Sequence, residues 1–303
     1  MFDILVAGEI NPDLVLAGNV VPEFGQVEKL VDNATLAIGS SSAIFACGAA
    51  RLGLKVAFIG VCGDDVFGRF MLDEMQEREV DVTNVIIRPG GQTGLTVILN
   101  QGTDRAILTH PGLIGSLRAS DLSDTLLQQA RHLHVASYFL QTDLQPGLPD
   151  LFRRARSLGL TTSLDTNYDP SAKWLGFDEL ISCTDVFLPN QTEALSITQK
   201  EDIESAAKEL AQKVGLVAIK LGAEGAIACW NDRMTRSASI PVRVVDTVGA
   251  GDSFDAGLLY GFLMGWPAAM SLRLACVCGA LSTQKAGGTN GQPTLEEAMK
   301  YVS

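Results

Sequence analysis

Runs of apolar, β-branched residues alternate along this sequence with segments of helical spacing, and this alternation limits the possible folds most strongly. A strand, a helix and a second strand in succession give a parallel pair, because the chain must cross back over the sheet between the strands. We therefore predict an α/β fold of three layers, with helices on both faces of a mostly parallel sheet. The predicted strands are residues 2–8, 55–60, 131–136, 160–165, 184–189 and 216–222, and the predicted helices include 42–53, 64–79, 149–158 and 202–213.

Two stretches depart from this alternation, at about residues 11–38 and 92–112. Both have strand character without intervening helices, and LNQGTDRAI (99–107) indicates a hairpin turn. We predict that they form a small antiparallel β-sheet lid on a single domain spanning 1–303, since such flaps can exclude water from a reaction. The edges of this sheet need cover, so a homodimer joined through the lids is expected. A β appendage without such a role is the alternative.

The chain has 303 residues, 47% of them hydrophobic, and a formal net charge of −12. So acidic a chain is not expected to bind nucleic acid or anionic membrane surfaces through its overall field. No apolar run of about 18 residues predicts a membrane span, and the first residues, MFDILVAGEI, lack the basic start of a signal peptide. The six cysteines have no metal-binding or redox spacing, so we expect a cytoplasmic protein.

The segment DTVGAGDSFDAG, residues 246–257, carries the strongest chemical signal. We predict a strand over 240–246 and a helix over 253–265, which puts the Gly-Ala-Gly of 249–251 at the turn between them. Glycines permit close approach of the backbone, and the first turn of a helix offers N–H groups and a partial positive charge, so an anion site is expected. Asp252 follows at once. It is either a simple helix cap or a base that takes the proton of an attacking hydroxyl during phosphoryl transfer.

DTVGAGDSFDAG resembles the C-terminal signature of the ribokinase-like (pfkB) carbohydrate kinases, and the resemblance extends over essentially the whole chain. It implies a ribokinase-like fold, the use of ATP and Mg²⁺, and phosphoryl transfer to a sugar, a nucleoside or a related alcohol. By the same resemblance Asp252 is the catalytic base, and Gly249, Ala250 and Gly251 form the anion hole. The other matching segments, in the family's order, are GEINPDLVL, GSSSAIFACGAARLG (39–53), IGVCGDDVFG (59–68), PNQTEA (189–194), KLGAEG (220–225) and STQKAGGTNGQP (282–293).

The resemblance also implies a set of residues that bind the acceptor. Asn11 and Asp13 match positions whose polar side chains hold acceptor hydroxyls, and they follow the first predicted strand, at whose carboxyl end α/β sheets bind ligands. Gly39 and Ser40 match the glycine pair that approaches the sugar. Arg105 lies on the predicted lid, from which it could reach the acceptor. An Asx turn at Asn11 and a solvated Arg105 are the alternatives.

Five residues match the nucleotide side of the family. Asn190 begins an N-x-x-E motif, and Lys220 and Gly222 lie in the turn KLGAEG, nearest the ATP. Gly225 serves the backbone geometry of that turn. Gly287 belongs to KAGGTNG, which resembles the loop beside the adenine.

Metal sites are implied at two places. Glu193 closes the N-x-x-E motif, and the resemblance implies that it orients water around Mg²⁺. If a helix begins after Pro189, Asn190 and Glu193 share one face of it, and an asparagine cap is the alternative. The resemblance further implies a monovalent cation such as K⁺, for which Asp246 and Val248 are the candidate ligands.

Two departures from the family pattern bear on the acceptor. Ile44 stands where many of these sugar kinases have asparagine, and Asp169 stands where relatives have a basic residue. The missing basic residue, together with the net charge, favours a neutral acceptor and phosphorylation of a hydroxymethyl group of a sugar or sugar-like molecule. The apolar pair Ile44 and Phe45 keeps a nucleoside kinase as an alternative. A ligand-binding protein without turnover is another, and the absence of G-x-G-x-x-G makes an NAD(P)-dependent oxidoreductase the least supported class.

Overall fold

The computed structural model describes residues 1–101, 104–167, 169, 171, 173–174, 178–231 and 233–302. Within these residues, the strands are β1 Phe2–Ala7, β2 Pro12–Ala17, β3 Asn33–Ile38, β4 Val56–Ile59, β5 Val61–Gly63, β6 Val80–Asp81, β7 Ile86–Arg88, β8 Leu95–Gln101, β9 Asp104–His110, β10 Ala130–Val135, β11 Thr161–Leu164, β12 Val186–Phe187, β13 Leu216–Lys220, β14 Ala226–Trp230 and β15 Arg233–Ser237. The α-helices are α1 Ser41–Arg51, α2 Val66–Glu77, α3 Asp124–Leu127, α4 Leu148–Ser157, α5 Asp178–Ser182, α6 Gln191–Thr198, α7 Ile203–Ala211, α8 Ala250–Leu263, α9 Ala268–Ser282 and α10 Leu295–Met299. Among the described helices, none has the length and apolar character that crossing a membrane requires.

The central sheet has the strand order β6-β4-β1-β10-β11-β12-β13-β14-β15 and is parallel from β6 to β13. β14 pairs antiparallel with both β13 and β15, because short hairpin connections join the three strands in chain order. The six strands predicted from apolar runs correspond to β1, β4, β10, β11, β12 and β13. The prediction of a mostly parallel sheet is confirmed.

Alternate residues of the sheet face two separate hydrophobic cores. In β1, Ile4 and Val6 face one core, whereas Leu5 and Ala7 face the other. The first core packs against α1, α2, α8, α9 and α10, and the second packs against α3 to α7. Because the side chains of a strand alternate between the two faces of a sheet, this arrangement gives the three predicted layers.

The two stretches outside the α/β alternation form a separate small sheet in the order β3-β2-β8-β9. β2 with β3 and β8 with β9 are antiparallel, but β2 and β8 are parallel, with Asp13 opposite Thr96. The separate sheet is confirmed, and its purely antiparallel pairing is wrong. β2 and β8 connect this sheet to the main body. β2 closely follows β1 in the chain, and the N–H group of Thr93, just before β8, donates a hydrogen bond to Asp65 Oδ2 at 2.8 Å. The turn of the β8–β9 hairpin, residues 102–103, lies outside the described residues.

The predicted strand over 240–246 is wrong. This segment belongs to no sheet among the described strands, and the N–H groups of Val245 and Asp246 instead donate to the carbonyl oxygen of Thr283, at 2.8 and 3.1 Å. The side chains of Val244 and Val245 are exposed. A β-branched run favours extended backbone, but it becomes a strand only where a neighbouring strand offers a ladder. Helix α8 therefore follows a largely exposed segment that is no strand.

Two histidines of β10, His132 and His134, are fully buried. His132 Nδ1 lies 2.7 Å from Thr161 Oγ1, and Ser163 Oγ lies 2.7 Å from both His132 Nε2 and His134 Nδ1. The ring of His134 stacks on Phe45 with 3.8 Å between centroids. Burial lowers the pKa of His134 to about 3, because the charged imidazolium would lose its hydration.

Acid should therefore destabilise the fold through His134. The unfolded chain protonates this residue below its ordinary pKa of 6.5, whereas the folded protein does so only near pH 3. The free energy of unfolding thus falls progressively as the pH drops from 6.5 towards 3, and this group alone contributes about 2 kcal/mol of loss at about pH 5. His134→Gln, which keeps a hydrogen-bonding side chain but does not titrate, should lack this part of the pH dependence.

Urea unfolding at about pH 5 and about pH 7.5 measures the difference. His110→Gln, on the exposed strand β9, is the matched control and should follow the wild-type protein. The same pH dependence in the wild type and in His134→Gln would contradict the assignment.

Candidate active site

Helix α8 begins at Ala250, and Gly249 before it has a left-handed φ of 72°. A side chain at Gly249 has no room, because an added Cβ would lie 2.7 Å from the carbonyl oxygen of Gly288 and 2.8 Å from Ile44 Cγ2. The glycine lets the chain turn sharply into the helix against the loop that contains Gly288. Ala250 and Gly251 then supply N–H groups in the first turn, at the positive end of the helix dipole.

Asp252 lies on the same first turn and is 7% exposed. Burial raises the pKa of its carboxyl group well above the usual range, and the charge of Asp165 raises it further. Lys220 opposes this shift, Glu9 adds to it, and a hydrogen bond from Ser41 lowers the pKa. A carboxyl group that holds its proton firmly is a strong base once it is ionised, which suits the removal of a proton from a hydroxyl group.

Asn11 and Asp13 lie where β1 leads into β2, and both are buried. Asn11 Nδ2 donates a hydrogen bond to Thr96 Oγ1 on β8 at 3.2 Å, which connects the end of β1 to the small sheet. Gly39, after β3, cannot carry a side chain, because an added Cβ would lie 2.2 Å from Asp13 Oδ1. The structure therefore brings Asn11, Asp13 and Gly39 together in one buried corner.

Arg105 lies on the exposed strand β9, and its charge acts on Asp13. Burial raises the pKa of Asp13 to about 7, the charge of Arg105 lowers it, and that of Asp246 raises it. Arg105 is exposed, and its charge reaches the corner that contains Asp13.

Glu9, after β1, is a candidate residue that the sequence analysis did not single out. It is 2% exposed, and its carboxylate accepts hydrogen bonds from Ser40 Oγ at 3.0 Å, Ser42 Oγ at 2.6 Å and Ser137 Oγ at 2.9 Å. Ser40 Oγ also caps α1 by accepting from the N–H group of Ala43 at 3.0 Å. The hydroxyl group of Ser40 is therefore committed to Glu9 and to the start of α1.

A chain of hydrogen bonds leads from Glu9 to Asp252. Asn167 Nδ2 donates to Ser137 Oγ at 2.9 Å and to Ser41 Oγ at 2.7 Å. Ser137 in turn donates to Glu9, and Ser41 donates to Asp252. The segments GSSS and DTN carry two of these residues in the sequence, but nothing in their spacing shows that they meet.

A cavity of about 610 Å³ borders the first turn of α8. Lys220, Gly222, Gly225, Ala250 and Gly251 contribute to its wall, so several residues predicted for the nucleotide share this cavity with the predicted anion hole. A volume of this size is typical of a small-molecule site. Much of the remaining wall is apolar and includes Ile240, Pro241, Val242, Val244, Phe254 and Ala280.

Asn190 and Glu193 bind each other at the start of α6. Asn190 Oδ1 accepts from the N–H group of Glu193 at 3.0 Å, Glu193 Oε2 accepts from the N–H group of Asn190 at 2.8 Å, and Asn190 Nδ2 donates to Glu193 Oε1 at 2.6 Å. The pair is thus a capping box. Burial and the charge of Asp165 raise the pKa of Glu193 to about 7, against the charge of Lys220. A hydrated Mg²⁺ nearby would favour the ionised form, so this carboxyl group fits such an ion.

Asp246, a candidate ligand of the predicted monovalent cation, connects its own loop to the loop that contains Gly287. Its Oδ1 accepts from the N–H group of Val248 at 3.0 Å, and its Oδ2 accepts from that of Gly287 at 2.9 Å. Both carboxylate oxygens therefore hold loop backbone, and ligands for a cation would come from carbonyl groups of these loops. Gly287 lies outside the wall of the 610 Å³ cavity.

Lys220, at the end of β13, directs its ammonium group towards two carboxylates. Nζ lies 2.8 Å from Asp165 Oδ2, and 3.2 and 3.1 Å from the two oxygens of Asp255. The side chains of Lys220, Asp165 and Asp255 are 13%, 3% and 1% exposed. The sequence analysis missed both acidic partners, because they lie 55 and 35 residues from Lys220 and share no motif with it.

A profile described as pfkB family carbohydrate kinase matches residues 1–295. The chain belongs to this family. The family resemblance drawn from DTVGAGDSFDAG and the other quoted segments is therefore confirmed, and with it the prediction of a carbohydrate kinase.

Similar proteins cover most of the chain. An uncharacterized sugar kinase of Archaeoglobus fulgidus is 32% identical over 254 residues, which cover 81% of this chain and 98% of that protein. A 5-dehydro-2-deoxygluconokinase of Geobacillus thermodenitrificans is 28% identical over 88% of this chain and 84% of that protein. The structure of Arabidopsis thaliana ribokinase complexed with ribose and ATP matches with a TM-score of 0.87 at 21% identity, over 100% of this chain and 99% of that chain. The predicted ribokinase-like fold is confirmed.

Gly39→Ala should selectively weaken binding of the acceptor. The new Cβ would displace the carboxylate of Asp13, so the KM for the acceptor should rise about tenfold or more, which corresponds to about 1.4 kcal/mol. The KM for ATP should change little. Gly215→Ala is the matched control, because its Cβ would make an ordinary contact of 3.5 Å with the carbonyl oxygen of Asp185. Steady-state kinetics measure both constants, and an unchanged acceptor KM in Gly39→Ala would contradict the prediction.

Proposed function

We propose that the protein is an ATP-dependent kinase that phosphorylates a hydroxymethyl group of a neutral sugar or sugar-like molecule, with Asp252 as the general base. One observation carries the proposal: the first turn of α8 borders both candidate substrate sites. Ala250 and Gly251 contribute to the wall of the 610 Å³ cavity, whereas Asp252 accepts a hydrogen bond from Ser41, close in the chain to Gly39.

Each residue of this turn has a separate part in the proposed reaction. Asp252, once ionised, accepts the proton of the acceptor's hydroxyl group, whose oxygen attacks the terminal phosphorus of ATP. The N–H groups of the turn stabilise the negative charge on the transferred phosphoryl group. Asn11 and Asp13 orient the acceptor, and Gly222 and Gly225 shape the nucleotide side.

Mg²⁺, when bound with the nucleotide, neutralises phosphate charge, and Glu193 is the residue that would orient its water ligands. K⁺ near Asp246 and Val248 is part of the same proposal.

The acceptor is proposed to be neutral because the position that is basic in relatives is Asp169, and because the candidate acceptor residues include the buried carboxyl group of Asp13. Asp169 accepts hydrogen bonds from the N–H groups of Ser171, Lys173 and Trp174, at 2.8, 3.0 and 2.7 Å, and so stabilises its own loop. The basic residue that would pair with an anionic acceptor is therefore absent at this position.

The alternative of a nucleoside kinase loses one of the two observations that favoured it, the apolar pair Ile44 and Phe45, while the missing asparagine at position 44 remains. Ile44 is 3% exposed and packs against Gly249 and Gly288, and Phe45 is fully buried against His134. These two apolar side chains belong to the core and do not line an open slot for a base.

The proposal extends to the domain organisation, the role of the small sheet and the location of the protein. Residues 1–303 form one domain, and the sheet β3-β2-β8-β9 acts as a lid over the acceptor, since β2 begins at Pro12, between Asn11 and Asp13. The protein works in the cytoplasm, where its six buried cysteines stay reduced.

Asp252→Asn tests the proposed base. Asparagine is nearly the same size as aspartate and stays polar, so the melting temperature should stay close to that of the wild type. Turnover in a coupled assay of ADP release should fall about 10²–10⁴-fold, because the amide cannot accept the proton. Asp73→Asn, at an exposed position of α2, is the matched control. An Asp252→Asn variant that keeps more than about a tenth of the wild-type activity would rule out the proposed base. In the wild-type protein, tight binding of the acceptor without release of ADP would favour the ligand-binding alternative.

The lid is also proposed to join two copies of the chain. β9 is an edge strand with exposed Ile107 and Leu108, and the loop between β2 and β3 exposes Phe24 and Leu30. Pairing with a second lid would cover these apolar side chains and the open strand edge.

We expect a dimer in sedimentation experiments at micromolar concentration. The double variant Ile107→Lys and Leu108→Lys should sediment as a monomer, because charges would be buried in the contact. Val66→Lys, at an exposed apolar position of α2, is the control and should remain dimeric. A monomeric wild-type protein would contradict the proposal.

A further inference from the structure

The charges that face Asp252 come from several elements. Asp165 follows β11, Glu9 follows β1, Asp255 lies one turn further along α8, and Lys220 ends β13. Carboxylate oxygens of Asp165, Asp252 and Asp255 lie within 4.8 Å of one another. Carboxylates at this spacing disfavour one another's ionisation, and Lys220 supplies positive charge among them.

The side chain of Lys220 passes close to the first turn of α8. Its Cδ and Nζ lie 3.7 Å from the point where a Cβ of Gly251 would stand. Burial alone would lower the pKa of the ammonium group, but Asp165, Asp255 and Glu193 raise it above its usual range, so the group stays charged. Lys220 also contributes to the wall of the 610 Å³ cavity, but the hydrogen bonds of its ammonium group go to the carboxylates of Asp165 and Asp255.

We propose that Lys220 is a positioning residue for Asp252: anchored by Asp165 and Asp255, it fixes the first turn of α8 and neutralises the carboxylates behind the base. This inference rests on the proposed function of Asp252, and it replaces the predicted role of Lys220 in binding ATP. With Lys220 in place, Asp252 can lose its proton to solvent before turnover and then accept the proton of the acceptor. Without Lys220, the remaining carboxylates keep the proton on Asp252, and a smaller fraction of the enzyme is active at a given pH.

The first test is the pH profile of kcat/KM for the acceptor in the variant Lys220→Met. Loss of the ammonium group should move the midpoint of the acid limb upward by about one to three pH units, the effect of an opposite charge at this range. At about pH 6, kcat/KM should fall about tenfold or more, while the KM for ATP should change by less than about threefold. Lys220→Arg keeps the charge, and its midpoint should stay near that of the wild type.

A second pair of variants separates electrostatics from folding. Asp165→Asn removes one negative charge beside Asp252 and should move the midpoint of the acid limb downward. The double variant Lys220→Met and Asp165→Asn should return the midpoint towards that of the wild type. Because the double variant removes both members of one buried ion pair, it leaves fewer uncompensated charges than Lys220→Met alone. These two variants carry the test if Lys220→Met does not fold.

Two results would overturn the inference in an active enzyme. One is an acid limb that stays in place in Lys220→Met while the KM for ATP rises more than about tenfold, which would make Lys220 a nucleotide ligand. The other is an acid limb that moves neither in Asp165→Asn nor in the double variant. A wild-type protein that releases no ADP with any alcohol would instead overturn the proposed function itself.

Discussion

The buried contact of Lys220 with Asp165 and Asp255 constrains the geometry of the whole site. It ties the ends of β11 and β13 to the N-terminal part of α8. Removing one partner of such a pair leaves an uncompensated buried charge, at a cost of about 3–5 kcal/mol. The first turn of α8 is therefore held to the carboxyl edge of the sheet, and Gly251 and Asp252 share its fixed position. The proposed base and the N–H groups beside it therefore depend on an ion pair whose lysine also contributes to the wall of the 610 Å³ cavity.

Around this fixed turn, the two sides of the site are built differently. On the cavity side, apolar residues and glycines leave about 610 Å³ of space, a volume that suits the proposed nucleotide. On the proposed acceptor side, hydrogen bonds connect Glu9 through Ser137 and Asn167 to Ser41, which lies against Asp252. A connected polar network favours one arrangement of its members, which suits the orientation of a hydroxyl group.

The sequence predicted the parts of the structure that depend on local pattern. Apolar runs such as 131–136 and 216–222 form β10 and β13, because a buried parallel strand needs little beyond such a run. The run 240–246 has the same local character and is no strand, since strand formation depends on a neighbour that the sequence does not reveal. The parallel pairing of β2 and β8 was missed for the same reason. In the site, family motifs indicated Asp252, Asn11 and Gly39, but Glu9 and the partners of Lys220 became visible only when distant segments were brought together.

The central claim is that the first turn of α8 serves both substrates, and a crystal structure with acceptor, Mg²⁺ and a non-transferable ATP analogue tests it most directly. In such a complex, the acceptor's hydroxymethyl oxygen should lie within about 2.6–3.2 Å of a carboxylate oxygen of Asp252. The terminal phosphate should lie against the N–H groups of Ala250 and Gly251. A nucleotide bound outside the 610 Å³ cavity, or an acceptor whose reacting hydroxyl contacts a different side chain, would contradict it.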